Sequence, residues 1–463
     1  MKTTRFAAAM LAALSLAGGA GAAPLLLATG TLNAGGADLS SATGGLLENG
    51  VAGNVLGGLG SGLAWAGGNT FIATPDRGPN ATAWNPALDD TTSYIARFQT
   101  LQLGLVKNNS GQGLAYSLNP VLTQTTLMYS ATPLVYAVGG APALNTPGRN
   151  YFTGRSDNFD PAQSSTNPNN GRFDPEGARV SKDGKSIFVS DEYGPYVYQI
   201  DRATGQRLRS YALPANLAAA HLNASGDAEI AGNTSGRVAN KGMEGLAITP
   251  DGKTLVGIMQ APLKQDNAKN VRIVTIDVAT GATHEYAYML TTGSGVSEIV
   301  ALNDHQFLVD ERDGKGLGDN SKAAVKQVFK IDLAGAEDVT ALSGDLSSKA
   351  VAKSLVLDVV AVLKANGVTA AQIPAKIEGL AFGADIVHDG VLLHTLFVAN
   401  DNDFVRDLAG DNQFWVFGIS DADLAKVGAS YEGQQFAPVP EPSSLLLLLG
   451  GLAAFGTVKR RRS

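Results

Sequence analysis

Acidic residues recur in short clusters beside the short apolar runs of this 463-residue chain. One set stands at the start of apolar runs and comprises Glu176, Glu244, Glu298 and Glu378. A second set follows the next apolar run and comprises Asp191, Glu192, Asp310, Glu311 and Asp401. Crowded carboxylates raise each other's pKa unless a cation neutralises them. Carboxylate oxygens are hard ligands suited to Ca²⁺ or Mg²⁺, so the clusters predict a cation site.

A repeated hairpin is expected to bring the two acidic sets together. An apolar strand, a polar turn and a second apolar strand follow one another five times, with Asp-Gly turns at 183–184 and 251–252. Asp-Gly between alternating apolar runs is a strong hairpin signal. The first and last residues of a hairpin are neighbours at its open end. The pattern therefore pairs Glu176 with Asp191 and Glu192, Glu298 with Asp310 and Glu311, and Glu378 with Asn400 and Asp401.

Most of these hairpins are followed by a second pair of strands, for example at 197–201 and 207–213. Two hairpins make a four-stranded antiparallel unit, and repetition of such units around an axis gives a β-propeller. We therefore expect an all-β propeller in which six blades are favoured and five to eight are allowed. A β-sandwich or a β-helix is the alternative. Radial repetition would gather the carboxylates of the open hairpin ends at one end of the central channel.

Three segments lie outside the repeated hairpins, and each has its own expected structure. Residues 105–170 double the interval between the first two hairpins, so they hold either another blade or a long insertion. The segment from Leu25 to Ala28 could close the ring by joining a C-terminal blade. Residues 349–364 carry apolar side chains at helical spacing, which predicts one helical insertion.

Basic residues within or beside the same motifs have two open interpretations. Arg77, Lys241 and Arg312 are either counter-charges of the acidic ring or ligands of an anionic substrate group such as phosphate. The five histidines lie outside the clusters, which disfavours a zinc site of imidazoles. The chain has no cysteine, so thiol catalysis and thiolate metal sites are excluded. The acidic clusters also have a structural interpretation, because carboxylates accept hydrogen bonds from backbone amides in turns.

The two ends of the chain differ from its body. Residues 1–22 begin with basic residues, continue as an apolar stretch and end in small residues suited to a cleavage site, which predicts a signal peptide. Residues 438–463 join Pro-Glu-Pro, an apolar run of 14 residues and a basic cluster. A membrane-spanning helix needs about 20 apolar residues, so this tail predicts only transient contact with the inner membrane. The ends hold six basic residues and Glu441, so without them the net charge falls from −7 to −12, which disfavours nucleic acid as a partner.

The motifs of the body also occur in a specific order. They are Thr-Pro-Asp-Arg-Gly-Pro (74–79), Asp-Pro-Glu-Gly (174–177), Ser-Asp-Glu-Tyr-Gly-Pro (190–195), Glu-Gly-Leu-Ala (244–247), Glu-Arg-Asp (311–313), Ile-Glu-Gly-Leu-Ala-Phe (377–382) and Asn-Asp-Asn-Asp-Phe (400–404). With this set, the body at 23–437 resembles the phytase-like family, described as having esterase-like activity of phytase. The resemblance implies a propeller that hydrolyses esters or phosphoesters. Two departures are a missing glutamate before Gly62 and the uncharged Met-Gln-Ala-Pro at 259–262.

The tail resembles the PEP-CTERM sorting signal of Gram-negative bacteria. That resemblance implies recognition and cleavage by an exosortase-type processing enzyme. It also implies a final place in the periplasm, at the cell surface or in the extracellular matrix.

The leading hypothesis is an exported, Ca²⁺-dependent hydrolase of a small-molecule ester, with a phosphoester favoured. Its metal ligands would be Glu176, Asp191, Glu244, Glu298, Glu378 and Asp401. Its catalytic residues would be Asp191, Glu192, Glu298 and Glu311, and its substrate-binding residues Arg77, Lys241 and Arg312. One alternative is a lactonase-like propeller enzyme. The other is a non-catalytic propeller, displayed at the surface, that binds an extracellular polysaccharide or protein.

Overall fold

Residues 24–437, which the computed structural model of the protein describes, form a ring of five four-stranded antiparallel sheets. The expected all-β propeller is thereby confirmed. The blade number is five, which lies within the expected range but is not the favoured six. The predicted signal peptide (1–22) and the sorting tail (438–463) lie outside the described residues.

The strands of the N-terminal half include the first two blades. In chain order they are β1 (Leu25–Leu32), β2 (Gly62–Trp65), β3 (Thr70–Thr74), β4 (Arg97–Gln102), β5 (Leu105–Lys107), β6 (Tyr116–Leu118), β7 (Val121–Leu127), β8 (Tyr129–Ser130), β9 (Asn150–Tyr151), β10 (Pro175–Val180), β11 (Ser186–Asp191), β12 (Tyr196–Asp201) and β13 (Arg207–Ala212).

The strands of the C-terminal half form the other three blades together with β1. They are β14 (Met243–Ile248), β15 (Thr254–Met259), β16 (Asn270–Asp277), β17 (Thr283–Met289), β18 (Gly295–Ala301), β19 (Gln306–Arg312), β20 (Lys326–Asp332), β21 (Lys353–Asp358), β22 (Lys376–Phe382), β23 (Ile386–His388), β24 (Val391–Asp401) and β25 (Asn412–Ile419).

Helices are short throughout the described residues. The α-helices are α1 (Gly226–Gly232), α2 (Val359–Ala365), α3 (Arg406–Ala409) and α4 (Asp421–Ala425). The 3₁₀ helices are Ser41–Thr43, Pro86–Leu88, Ala137–Gly139, Ala215–Leu217 and Ser347–Lys349. No helix within residues 24–437 is long and apolar enough to cross a membrane.

Each blade runs from an inner strand at the axis to an outer strand at the rim. From inside outward, the blades are β2-β3-β4-β7, β10-β11-β12-β13, β14-β15-β16-β17, β18-β19-β20-β21 and β22-β24-β25-β1. The inner strands β2, β10, β14, β18 and β22 are neighbours in this order, and β22 lies against β2 again. The ring is therefore complete with five blades.

The N-terminal strand joins the last blade. Strand β1 pairs antiparallel with β25, with Leu25 opposite Gly418 and Leu32 opposite Asn412. The expected ring closure by the segment that begins at Leu25 is thereby confirmed. Because the two ends of the body share one sheet, the ring is held shut by main-chain hydrogen bonds.

Local turn chemistry explains why the hairpins form where they do. In the turn between β10 and β11, the Asp183 carboxylate accepts hydrogen bonds from Ser181 Oγ (2.6 Å) and from the Lys185 amide (3.0 Å). Gly184 follows with φ 69°, a conformation that glycine adopts without strain. The same arrangement recurs around Asp251 between β14 and β15.

Of the two predictions about insertions, one is decided and one needs correction. Residues 105–170 hold a long insertion and not a sixth blade: they contain the hairpin β5–β6 and the small sheet β8–β9, and β7 between them is the outer strand of the first blade. The helix predicted over 349–364 is split, because its first half is β21, the outer strand of the fourth blade. The helix α2 begins only after Asp358, whose carboxylate accepts a hydrogen bond from the Ala361 amide (2.8 Å).

The core lies between neighbouring blades. Every residue of the inner strand β14 is buried, because both of its faces are covered by adjacent blades. Phe188, Leu246 and Ile299 come from three successive blades and share one buried apolar cluster. This packing fixes the inner strands, and with them the residues at the mouth of the channel.

Candidate cation site

A cavity of about 140 Å³ lies at the end of the channel where the inner strands begin. Its wall is polar throughout, with seven carboxyl groups and two basic side chains. The lining residues are Asp76, Arg77, Asn80, Glu176, Glu192, Asn240, Glu244, Gln260, Lys376, Glu378, Asp401 and Asp403.

β-Bulges present the central glutamates to this cavity. The pairing of the inner strand with its neighbour shifts register at Glu176, Glu244 and Glu378. A bulge leaves the extra residue outside the regular ladder and redirects its side chain. In the fourth blade the bulge falls on Ser297, so Glu298 takes the position that Gly245 has in the third blade.

Carboxylate oxygens converge in three groups in and beside the cavity wall. In each group the oxygens lie within 4.8 Å of one another. The groups are Glu176 with Glu244 and Glu378, Asp174 with Glu176 and Glu192, and Asp76 with Asp401 and Asp403. Every member is buried except Asp403, which is half-buried.

The basic side chains near the cavity do not fully neutralise its carboxyl groups, as the raised pKa values of several of them indicate. Burial, and then the neighbouring carboxylates, hold the pKa of Glu176 and of Glu244 well above the ordinary value. Burial also raises the pKa of Glu192 and of Asp401 to about 7. Glu244 is 2% exposed, and its Oε2 atom has no hydrogen-bond partner among the described residues. A buried carboxylate oxygen without a donor is costly, and a cation would satisfy it.

The basic side chains around the cavity are already paired with carboxylates. Arg77 Nη1 lies 2.9 Å from Asp174 Oδ2. Arg312 bonds Glu378 and approaches Glu244 to 3.8 Å. Lys376 Nζ lies 2.9 Å from Asp401 and 2.5 Å from Asp403. One donor, Arg77 Nε, remains without a partner among the described residues.

The structure brings together most of the residues singled out from the sequence. Those that line the cavity are Arg77, Glu176, Glu192, Glu244, Glu378 and Asp401. Arg312 contacts two of these carboxylates. Asp191, Lys241, Glu298 and Glu311 are not among the lining residues.

Asp191 and Glu298 hold the scaffold below and beside the cavity. Asp191 Oδ1 accepts hydrogen bonds from the amides of Asp174 (3.2 Å) and Tyr193 (3.0 Å). Glu298 Oε1 accepts from the amides of Leu246 (2.8 Å) and Ile299 (2.9 Å). One oxygen of each carboxylate is therefore engaged by backbone donors, and Glu298 Oε2 lies 3.2 Å from the Arg179 guanidinium.

Glu311 and Lys241 lie elsewhere. Glu311 bonds Lys353 and accepts hydrogen bonds from the amides of Thr291 (2.9 Å) and Thr292 (2.6 Å). These donors outweigh its burial and lower its pKa to about 2, so it is a satisfied structural carboxylate. Lys241 is exposed to solvent. The one-residue shift of the bulge separates Glu298 from the cavity. Glu311 lies within β19, and its carboxylate is held by Lys353 and by the amides that precede β18.

Sequence reasoning did not select four of the charged residues of the site. They are Asp76, Asp174, Lys376 and Asp403. Asp76 lies two residues after the end of β3, and Asp191 is the last residue of β11, so its place near the end of a hairpin could have indicated Asp76. Lys376 stands directly opposite Asp401 in the ladder between β22 and β24, which only the strand register reveals.

Comparisons with known proteins agree with the sequence motifs. Residues 54–404 match the family model "Phytase-like: Esterase-like activity of phytase". Residues 438–463 match the PEP-CTERM protein-sorting motif. An uncharacterized secreted protein of Arthroderma benhamiae is 29% identical over 264 residues. The match covers 50% of the chain and 48% of that relative, so the chain spans about half the relative's length.

Solved structures with similar folds include two Bacteroides proteins. A candidate 6-phosphogluconolactonase of Bacteroides uniformis has 13% identity and a TM-score of 0.31, with 79% of this chain and 90% of that chain covered. Another from Bacteroides fragilis has 13% identity and a TM-score of 0.30, with 79% and 89% covered. Likeness at this level carries no argument about activity.

Proposed function

Because the chain belongs to the phytase-like family, we propose that it is a cation-dependent hydrolase of an ester, with a phosphoester as the favoured substrate. The sorting motif makes it an exported protein that an exosortase recognises. The observation that carries the proposal is the buried acidic cavity with the unpartnered Glu244 Oε2. As the site of action we propose the periplasm, cell surface or extracellular matrix of a Gram-negative bacterium.

The donor set of the cavity fits a hard divalent cation. Glu176, Glu244 and Glu378 supply carboxylate oxygens within 4.8 Å of one another, and all three are buried. Oxygen-only ligands suit Ca²⁺ or Mg²⁺, and Ca²⁺ tolerates irregular geometry better. We propose these three glutamates as the core ligands, with Asp401 at the rim of the same cavity.

The protein's own residues supply binding and proton transfer. A divalent cation held by the glutamates would neutralise substrate charge and lower the pKa of water. Glu192 lines the cavity, so it is the candidate general base. Arg77 keeps one unpartnered donor beside the cavity, so it can orient an anionic substrate group. Arg312 holds Glu378 and Glu244 in place. We assign Asp191, Glu298 and Glu311 to positioning through their backbone contacts.

A second candidate is a non-catalytic propeller that binds an extracellular polymer with a structural cation. The sorting motif is compatible with it, because retention at the surface would serve a binding protein as well as an enzyme. A lactonase-like activity is a third candidate that the same cavity could serve.

A substrate panel separates these candidates. The body (residues 24–437) is assayed with EDTA and with CaCl₂ against a phosphomonoester, phytate, a carboxyl ester and a lactone. The proposal expects Ca²⁺-dependent turnover of an ester that Glu192→Gln abolishes. A matched control, Glu432→Gln, changes an exposed glutamate at the opposite end and keeps the activity. No turnover together with a large Ca²⁺ effect on Tm would favour the binding protein.

A further inference from the structure

The C-terminal segment of the body crosses the end of the channel opposite the acidic cavity. We name residues 430–437 the strap. The Glu432 amide donates to Leu302 O (2.7 Å) in the fourth blade, and the Gln435 amide donates to Pro250 O (3.0 Å) in the turn after the inner strand of the third blade. The Ala437 amide donates to Lys182 O (2.6 Å) after the inner strand of the second blade.

Aromatic packing joins the strap to the remaining two blades. Phe436 lies 5.4 Å from Trp65 of the first blade, measured between ring centroids. Tyr431 lies 4.5 Å from Phe382 of the fifth blade and 4.3 Å from His394. The strap therefore contacts all five blades, and the position where it ends is fixed relative to the propeller.

The strap end and the cavity end are separate faces of the molecule. The inner strands begin at the cavity and end at the strap, and six residues of strand span roughly 20 Å. Between the two ends, Arg179 crosses the channel and donates to Leu63 O (2.7 Å) and Ile299 O (2.7 Å). Its guanidinium also lies 3.2 Å from Glu298.

Two hairpins at the strap end carry exposed apolar side chains. Strands β5–β6 follow the strap-end terminus of β4, and β23 pairs with the start of β24 at the same end. Tyr116 Oη donates to Val387 O (3.5 Å) and joins the hairpins. The exposed fractions are 64% for Val106, 66% for Val387, 50% for Val391 and 45% for Leu392.

The short distance in sequence between the strap and the apolar run of the tail indicates that a membrane covers this patch. The apolar run of the tail begins at Leu445, eight residues after Ala437. Eight extended residues reach at most about 28 Å. While the run is in a membrane, the strap end must therefore stay near the lipid surface. The opposite end carries seven crowded carboxyl groups, which an anionic lipid surface repels.

We propose that the strap end is a lipid-facing surface. While the tail is attached, Val387, Val391 and Leu392 contact the membrane and the acidic cavity opens away from it. The inference rests on the sorting motif and the strap, so it holds or fails independently of hydrolase activity.

The absence of cysteine allows a clean test with single-cysteine variants. In the chain with its tail (residues 23–463), Val387→Cys labels the patch and Ser294→Cys labels an exposed position at the cavity end. Each variant carries an NBD fluorophore and is mixed with vesicles of equal parts phosphatidylethanolamine and phosphatidylglycerol. We expect the emission at 387 to brighten and shift to the blue, and the emission at 294 to stay unchanged.

A pair of leucine variants gives a second readout. Leu392→Ser removes an apolar side chain at the patch, and its loss from lipid weakens vesicle affinity by roughly tenfold. The matched control Leu408→Ser removes an exposed leucine next to the cavity end and leaves the affinity unchanged. The proposal would be overturned if the NBD emission changed equally at 387 and 294, or if both leucine variants lost the same vesicle affinity. It would also be overturned if the emission at 387 stayed unchanged in vesicle-bound protein, which would point to a protein partner for the hairpins.

Discussion

Glu244→Gln tests the repulsion inside the acidic cavity. The Glu244 carboxylate lies within 4.8 Å of those of Glu176 and Glu378. At an effective dielectric constant near 20, two unit charges at that separation repel by about 3.5 kcal/mol. The raised pKa of Glu244 shows that protonation relieves part of this cost. We therefore expect Glu244→Gln to raise the free energy of unfolding in EDTA at pH 8 by about 1–3 kcal/mol.

The same substitution is expected to lose most or all of its advantage when Ca²⁺ is present. Ca²⁺ at a hundredfold excess over its Kd stabilises the wild type by about 2.7 kcal/mol. Glu244→Gln removes a ligand, so it weakens Ca²⁺ binding and loses most of that gain. Urea unfolding in EDTA and in CaCl₂ measures both effects. The variant should be more stable than the wild type in EDTA, and this difference in unfolding free energy should fall by up to about 2.7 kcal/mol in CaCl₂.

Two results would refute this reasoning. If Glu244→Gln is less stable than the wild type in EDTA, the carboxylate serves as a structural hydrogen-bond acceptor. If the variant keeps the full Ca²⁺ gain, the cation is held elsewhere.

Three further predictions concern residues outside the cavity. Glu311→Gln removes the carboxylate partner of the half-buried Lys353 ammonium, so it should cost about 2 kcal/mol of unfolding free energy equally in EDTA and in CaCl₂. A Ca²⁺-dependent cost would contradict its structural role. Burial raises the pKa of Glu298 from 4.5 to about 7, so the folded state binds the extra proton and stability falls as pH rises through this window. In the wild type this group should lower the unfolding free energy by up to about 3 kcal/mol between pH 5 and pH 8, and Glu298→Gln should remove that fall. An unchanged pH dependence in the variant would argue against this assignment. Tyr431→Ala should lower Tm by loosening the strap, at a cost of about 2 kcal/mol, without changing the Ca²⁺ gain.

The fold was predictable where local chemistry decides it. Asp183 and Gly184 specify a hairpin turn through contacts within five residues, and the repetition of such turns identifies a propeller. The number of blades was not predictable in this way. Strands β5 and β6 have the same local pattern as a blade hairpin, but they pair only with each other, and β6 lies against β1 of the fifth blade.

The candidate site was predictable only as far as hairpin position determines it. Glu176, Glu244 and Glu378 share a position at the start of an inner strand, and all three line the cavity. Glu298 has a similar place in the sequence, but the bulge falls one residue earlier and directs it toward Arg179. A shift of one residue changes the face of a strand, and sequence alone does not show where a bulge falls.

Long-wavelength diffraction from crystals grown with CaCl₂ tests the cation site most directly. We predict an anomalous difference peak enclosed by the carboxylates of Glu176, Glu244 and Glu378, and its loss in crystals of Glu244→Gln. An empty or water-filled cavity in the wild-type crystals, with calcium peaks only elsewhere, would contradict the account.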